Sequence, residues 1–204
     1  PHAVVAMLAA ALPTSALAAA PATSPQSFKG EYTVSFLGLS VAKAKFNSHY
    51  EGDSYSIDGT VSSAGIATLF DDTSGTISSK GKILGKQMQP QAFRADYKSG
   101  KKASVVDIRF ANGAVTATQV IPEPKKRNPK TWIPLGGNDL TSVLDPMAAT
   151  VIHADSLDKV CGRKVKFYDG EMRADLTLTY ASKGSISVKG YKGDTFPLKL
   201  AIIV

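Results

Sequence analysis

The stretch "VVDIRFANGAVTA", Val105–Ala117, decides the fold class. Val106, Ile108 and Phe110 alternate with Asp107 and Arg109, which is the period-2 pattern of a strand with one buried face. Asn112-Gly113 follows, and Val115 and Ala117 continue the apolar row. A two-residue hairpin turn needs positive φ at both central residues, which Asn-Gly supplies, so Phe110 is expected to pair with Val115.

The same alternation extends in both directions. Tyr32, Val34 and Phe36 form one strand; Ala42, Ala44 and Phe46 form the next after "LGLS". Tyr55, Ile57, Gly59 and Val61 alternate with Ser56, Asp58 and Thr60. "SGTISSKGKIL" and the run Phe93, Ala95, Tyr97 add two more. Downstream, Asp169-Gly170 turns a second hairpin whose face carries Met172, Ala174, Leu176, Leu178 and Tyr180, and Ile186 with Val188 suggests a further strand. About nine or ten short strands joined by hairpins predict a mainly β fold: a curled antiparallel sheet forming an open or partly closed barrel.

Two stretches break the pattern. "SSAGIATLFDD", Ser62–Asp72, places Ile66, Leu69 and Phe70 at helical spacing after Gly65, which predicts a helical turn at about 65–71, either core filler or a lid. "NDLTSVLDPMAATVIHAD" reads as a helix at about 146–153: Asp145 caps, Pro146 suits the first position, and Met147, Val151 and Ile152 face one way. That helix is expected to plug the concave side of the sheet.

Composition bounds the function. The chain of 204 residues, 43% apolar and with 17 Gly, suits one β-rich domain. An uncharged apolar run from Ala3 to Leu12, then Pro13 and Ala16-Leu17-Ala18, resembles a secretory signal with its cleavage site. The expectation is a truncated signal peptide over 1–18, a flexible linker over 19–27 and a single domain over 28–204 that ends short at its C-terminus. An exported, periplasmic location and a mature chain without a transmembrane segment follow. Cys161 is then either buried and inert or a half-cystine without its partner.

The net charge of +7 comes from lysines and arginines spread in short groups rather than joined to aromatic RNA-binding motifs, so nucleic acid is not an expected partner. The proline-rich loop "PEPKKRNPKTWIP" cannot be a central strand. Its Lys125, Lys126, Arg127, Lys130 and Trp132 have an interface composition and are candidate partner contacts.

Catalytic templates fail. His49 and His153 stand at element ends, without HxH, HExxH or CxxC spacing for a metal. There is no GxSxG elbow or Walker loop. The carboxylate pairs Asp71/Asp72 and Asp169/Glu171 lack the placement that glycoside hydrolysis needs. No enzyme activity, catalytic residue, metal or cofactor is expected.

"YTVSFLGLSVAKAKF", "YSIDGTVSSAGIATLFDDTSGTISSKG", "LDPMAA" and "CGRKVKFYDGEMRADLTLTY" together resemble the domain-of-unknown-function 3108 family, in order from about Phe28 to Tyr191. The resemblance implies an exported bacterial envelope protein without established activity, built on a curved sheet similar to the half-barrels of periplasmic lipoprotein carriers. It also implies a disulfide from the Cys before the "FYDG" hairpin to a second Cys near the C-terminus. This chain has no such Cys, so Cys161 is a disulfide candidate without a partner.

Two functions remain. One is a carrier that binds a lipid, an acyl chain or a lipoprotein in the concave sheet, with a basic surface suited to an anionic envelope polymer. Its candidate lining is Tyr32, Phe36, Tyr55 and Ile57 on the early strands, and Ile66, Leu69 and Phe70 on the helical turn. Phe93, Phe110, Leu176 and Leu178 complete it on the later strands. The same residues can equally pack a dry core. The alternative is an envelope scaffold without a small ligand, supporting envelope integrity through the Pro/Lys loop.

Overall fold

A computed structural model describes residues 25–69, 72–128, 130, 132–152, 157–180, 184–188, 191–195 and 198–203. The expected signal segment lies outside them, as do Phe70, Asp71 and His153.

The dominant element is a seven-stranded antiparallel meander in simple sequence order: β1 (Gln26–Phe36), β2 (Leu39–Glu51), β3 (Ser54–Ser63), β4 (Thr73–Leu84), β5 (Gln87–Ser99), β6 (Lys102–Ala111) and β7 (Ala114–Ile121). A second sheet orders β12 (Leu198–Ile203), β9 (Arg173–Tyr180) and β8 (Lys164–Tyr168). β10 (Gly184–Val188) and β11 (Tyr191–Thr195) form a separate hairpin. Among the described residues the strands are thus twelve, and those of the meander are longer than the alternation suggested.

The hairpin that set the reading is present in register. Phe110 faces Val115, and Asn112 and Gly113 both take positive φ, at 51° and 76°. A bulge follows at once, because Arg109 pairs with Ala117, which leaves Thr116 extra. The inserted residue flips the parity of β7. The inward row therefore continues through Thr118, opposite Ile108, and Val120, opposite Val106, while Ala117 turns to the exposed side. Ala117 thus does not continue the apolar row as its spacing from Val115 predicts.

The meander does not close. β1 and β7 are edges, so the sheet is open. Closure is replaced by layering, in which part of the apolar face is covered by the 132–152 segment and by β8–β9. Tyr55, Ile57, Met88, Phe93, Val106, Ile108 and Phe110 of the sheet form one buried cluster with Val143, Met147, Ala148 and Tyr168 of the covering layer. Burial of this kind, at ~25 cal/mol per Å² of apolar surface, dominates the stability of the fold.

The plugging helix at 146–153 is not formed. Helical geometry is confined to a 3-10 turn at Ala148–Thr150, and Val151 is already extended at φ −92°, ψ 117°. The reason lies in the side-chain period. Val143, Asp145 and Met147 are buried while Leu144 and Pro146 are only partly so, an alternation of two that an extended segment satisfies and a helix cannot. Backbone bonds confirm it: the Leu144 N–H donates to Lys166 O at 2.8 Å, and the Tyr168 N–H donates to Leu144 O at 2.9 Å, in a parallel bridge beside β8. Asp145 does act as the cap and Pro146 follows it, but the turn they start is one turn long.

The shorter helical turn is a 3-10 helix at Gly65–Leu69. Gly65 sits at φ +57° against the Ser40 carbonyl, and Ala64 N–H donates to Val41 O at 3.0 Å, so the turn is tied to the start of β2.

Candidate functional site

Register arranges the apolar face of the meander in transverse rows. Phe28, Ser48, Ile57, Ser79, Phe93, Ile108 and Thr118 form one row; Gly30, Phe46, Gly59, Ile77, Ala95, Val106 and Val120 form the next. Tyr32, Ala44, Val61, Gly75 and Tyr97 form a third. The first row begins on β1 in the open and is buried from Ser48 on β2 to Ile108 on β6, whereas the third row is exposed at both Tyr32 and Tyr97. Ile57, Phe93 and Ile108 are at most 3% exposed, whereas Phe28, Tyr32, Val34 and Tyr97 remain 45–58% exposed.

This open half has a defined surface. The Phe46 ring lies over Gly59, and the Tyr32 and Phe28 rings lie over Gly30. A side chain at either glycine would occupy the space of those rings, so glycine is what lets them lie flat on the sheet. Tyr32 and Phe46 meet edge to face, with centroids 5.7 Å apart. The result is a shelf of aromatic rings on an edge strand, with water where the other half has a covering layer.

The candidate lining residues divide accordingly. Tyr55, Ile57, Phe93 and Phe110 are in the packed core, and Tyr32 is on the open shelf. Ile66, 42% exposed, stands on the 3-10 turn beside β2. Phe36 ends β1 and Leu69 ends the 3-10 turn. Leu176 and Leu178 lie in the second sheet, partly buried, opposite Ile202 and Leu200. Phe28, Phe46 and Tyr97, which complete the shelf, were not among the candidates. Tyr97 and Phe46 carried the alternation signal but stood undistinguished from core positions.

A trough of about 570 Å³ lies on the opposite, polar face, between the row Lys29, Asn47, Asp58, Ser78, Arg94 and the row Glu31, Lys45, Thr60, Thr76. Two of its three cations are matched locally: Lys45 pairs with Glu31 at 2.9 Å, and Arg94 with Asp107 at 3.3 Å and Asp96 at 3.6 Å. Such exposed pairs leave little net field for an anion.

One buried polar group links the two layers. Asp145 is fully buried and accepts from Ser79 Oγ at 2.7 Å and from the backbone N–H groups of Met147 at 2.8 Å and Ala148 at 3.0 Å. Burial raises its carboxyl above the usual range, against the pull of these donors. Tyr55, 3.4 Å from Ser79 Oγ, is raised too, first by burial and then by the Asp145 charge. Every polar atom here faces the core and clasps the covering segment to the sheet. The sequence marked Asp145 as a cap, but its partner Ser79, on β4, left no local signal.

The Pro/Lys loop is anchored at Arg127, whose guanidinium stacks 4.8 Å from the Trp132 ring centre and pairs with Glu171 on the β8–β9 turn. Lys125, Lys126 and Lys130 are exposed, and Trp132 is partly buried. Cys161 is a partly buried free thiol between the 3-10 turn Leu157–Val160 and β8. His49 accepts or donates with Ser27 Oγ at 3.0 Å on the surface. Asp169 caps its own turn, accepting from the N–H groups of Glu171 and Met172 at 2.9 Å each. Among the described residues no group of three or more His, Cys, Asp or Glu is placed to hold a metal ion, and no helix is long and apolar enough to cross a membrane.

No curated protein and no solved structure matches the chain. A family profile described as "Protein of unknown function (DUF3108)" does, over residues 31–201, from the middle of β1 into β12, so the fold and the shelf described above are those of a chain that belongs to the DUF3108 family.

Proposed function

We propose that this chain is a non-enzymatic, exported envelope protein that holds a hydrophobic ligand, an acyl chain or lipid, against the open half of its sheet. The observation that supports the reading is the contrast on one face: Phe28 on β1 is half exposed while Phe93 and Ile108 of its row are sealed, and the Tyr32 row stays open as far as Tyr97 on β5. Apolar surface of this extent in a soluble domain marks a binding surface more often than chance. Glycines beneath the rings keep the shelf flat enough for a chain to lie along it.

The test is uptake of a fluorescent acyl-chain probe by the purified chain, with native mass spectrometry for retained lipid. Phe28→Ser with Tyr32→Ser removes exposed rings and should spare the core, so the variant is expected to fold and to lose most of the uptake. No uptake by the parent chain, or equal uptake by the folded variant, refutes the reading.

A second reading, a scaffold that contacts a protein partner, is favoured by Ile133, which is 87% exposed beside Lys130 and Trp132 on the Arg127-anchored loop. Pull-down with Ile133→Ser and Lys125→Glu/Lys126→Glu separates it, since those changes leave the shelf intact.

A further inference from the structure

The β1–β2 turn breaks a local rule that its counterpart at the other end of the sheet obeys. Leu37 and Gly38 have φ of 50° and 79°, nearly the values of Asn112 and Gly113, 51° and 76°. Asn and Gly accept two positive φ angles; leucine does so at a cost, because its Cβ crowds the backbone. Nor is the cost recovered by packing, since Leu37 is 86% exposed. A strained, fully solvated leucine at a hairpin tip points to a contact outside the chain.

Its surroundings say which kind. Val34 (50% exposed), Leu39 (53%) and Ile66 (42%) lie at the same end of the sheet, the last on the 3-10 turn tied to β2. Antiparallel order brings the β5–β6 turn to that end too, where the Gly100 N–H donates to Asp72 O at 3.4 Å. Lys98, Lys101 and Lys102 at that turn and Lys43 on β2 are exposed, with Asp72 and Glu123 as the acids at that end among the described residues outside the Arg94–Asp96 pair. Apolar side chains at a tip, flanked by an excess of lysine, match the interface of an anionic bilayer: hydrocarbon below, negative head groups around. A protein partner would match the leucine but gives no reason for the lysines.

We infer that the Leu37–Gly38 tip, with Leu39 and Ile66, docks the protein on an anionic lipid surface and that Lys43, Lys98, Lys101 and Lys102 supply the electrostatic attraction. The inference stands whether or not the shelf holds a ligand.

The experiment is co-sedimentation of the full chain with phosphatidylcholine vesicles containing or lacking phosphatidylglycerol, across a salt series. Binding to the anionic vesicles, weakened by salt, is expected. Leu37→Asn installs the residue that the opposite turn uses, so its melting temperature should be unchanged or higher while vesicle binding falls on the order of tenfold, from the lost burial of one leucine. Leu37→Gly, also at ease with positive φ, should do the same. Lys101→Gln/Lys102→Gln should weaken binding on the order of tenfold and flatten the salt dependence. No binding to anionic vesicles at low salt overturns the proposal. So does undiminished binding by the folded Leu37 variants, or self-association that Leu37→Asn abolishes while vesicles have no effect.

Discussion

Replacing Asp145 separates what its side chain does by shape from what it does by charge. Asp145→Ala removes the acceptor of three hydrogen bonds, from Ser79 Oγ and the N–H groups of Met147 and Ala148, in a site without solvent. Losing the cap costs ~1–2 kcal/mol, and leaving the Ser79 hydroxyl with only the 3.4 Å contact to Tyr55 Oη in place of its 2.7 Å acceptor adds up to ~1 kcal/mol. Relief from burying a carboxylate offsets part of this, so a net loss of ~2 kcal/mol is expected, or a fall in melting temperature of roughly 4–8 °C. Asp145→Asn keeps the acceptor for both N–H groups and turns an amide toward Ser79, so it should stay within ~1 kcal/mol of the parent. The pH dependence follows from direction. Burial raises the folded-state pKa of Asp145 above its unfolded value, so the folded chain holds that proton more tightly. The group's contribution to stability is full below the unfolded carboxylate pKa and is lost as pH rises through the folded one. Asp145→Asn, which never ionises, should therefore gain on the parent chain as pH rises from the acid range to neutral. Urea titrations of the three proteins at acidic and neutral pH measure all of this. Asp145→Asn as damaging as Asp145→Ala, or a gap between Asn variant and parent that does not move with pH, would refute the account.

Three further outcomes are expected. Ile108→Ala empties a fully buried site in the cluster beneath the covering segment and should cost ~3–4 kcal/mol in chemical denaturation, near the upper part of the usual range for buried aliphatics. Gly65→Ala meets both a φ of +57° and the Ser40 carbonyl, and should cost more than ~1 kcal/mol and loosen the 3-10 turn, read as faster amide exchange at Ala64. Gly59→Ala drives its Cβ to 2.6 Å from Phe46 Cδ1, so the ring must swing off the sheet. The stability loss should be ~1–3 kcal/mol because Phe46 also packs against the buried cluster, and probe uptake should change, which fluorescence titration detects.

The alternation in the sequence reports which residues share a face, and the register follows it from Gly30 to Val115, beyond which the bulge at Thr116 reverses the face of Ala117. It says nothing of which part of that face another layer will cover. Tyr32 and Phe93 carry the same local signal, yet one is 52% exposed and the other 3%. The difference depends on where the chain from Trp132 to Ile152 returns, a long-range event without a local imprint. The misread helix has the same root. Met147, Val151 and Ile152 fit a 3.6 period, but Val143, Asp145 and Met147 fit a period of two, and burial against a sheet with β8 alongside selected the second. Short apolar stretches are ambiguous in this way, and tertiary contacts decide them.

The two features that carry function in this reading are places where local rules are broken without internal compensation. On its polar face the edge strand β1 carries Lys29 and Glu31, the charges that ordinarily discourage pairing, but on its other face Phe28, Tyr32 and Val34 stand half exposed. A hairpin with two positive φ angles ordinarily carries Asn-Gly, but the first one carries Leu-Gly. Both departures are on the same strand or at its end, and the other edge, β7, starts from Asn-Gly and exposes Thr116, Thr118 and Gln119, with Ile121 exposed at its end. Selection for stability alone would remove the departures at β1, since Leu37→Asn and a polar Phe28 cost the core nothing. Their coincidence at one edge argues that the shelf and the tip serve a single apolar encounter, with the tip reaching the lipid surface and the shelf lying behind it.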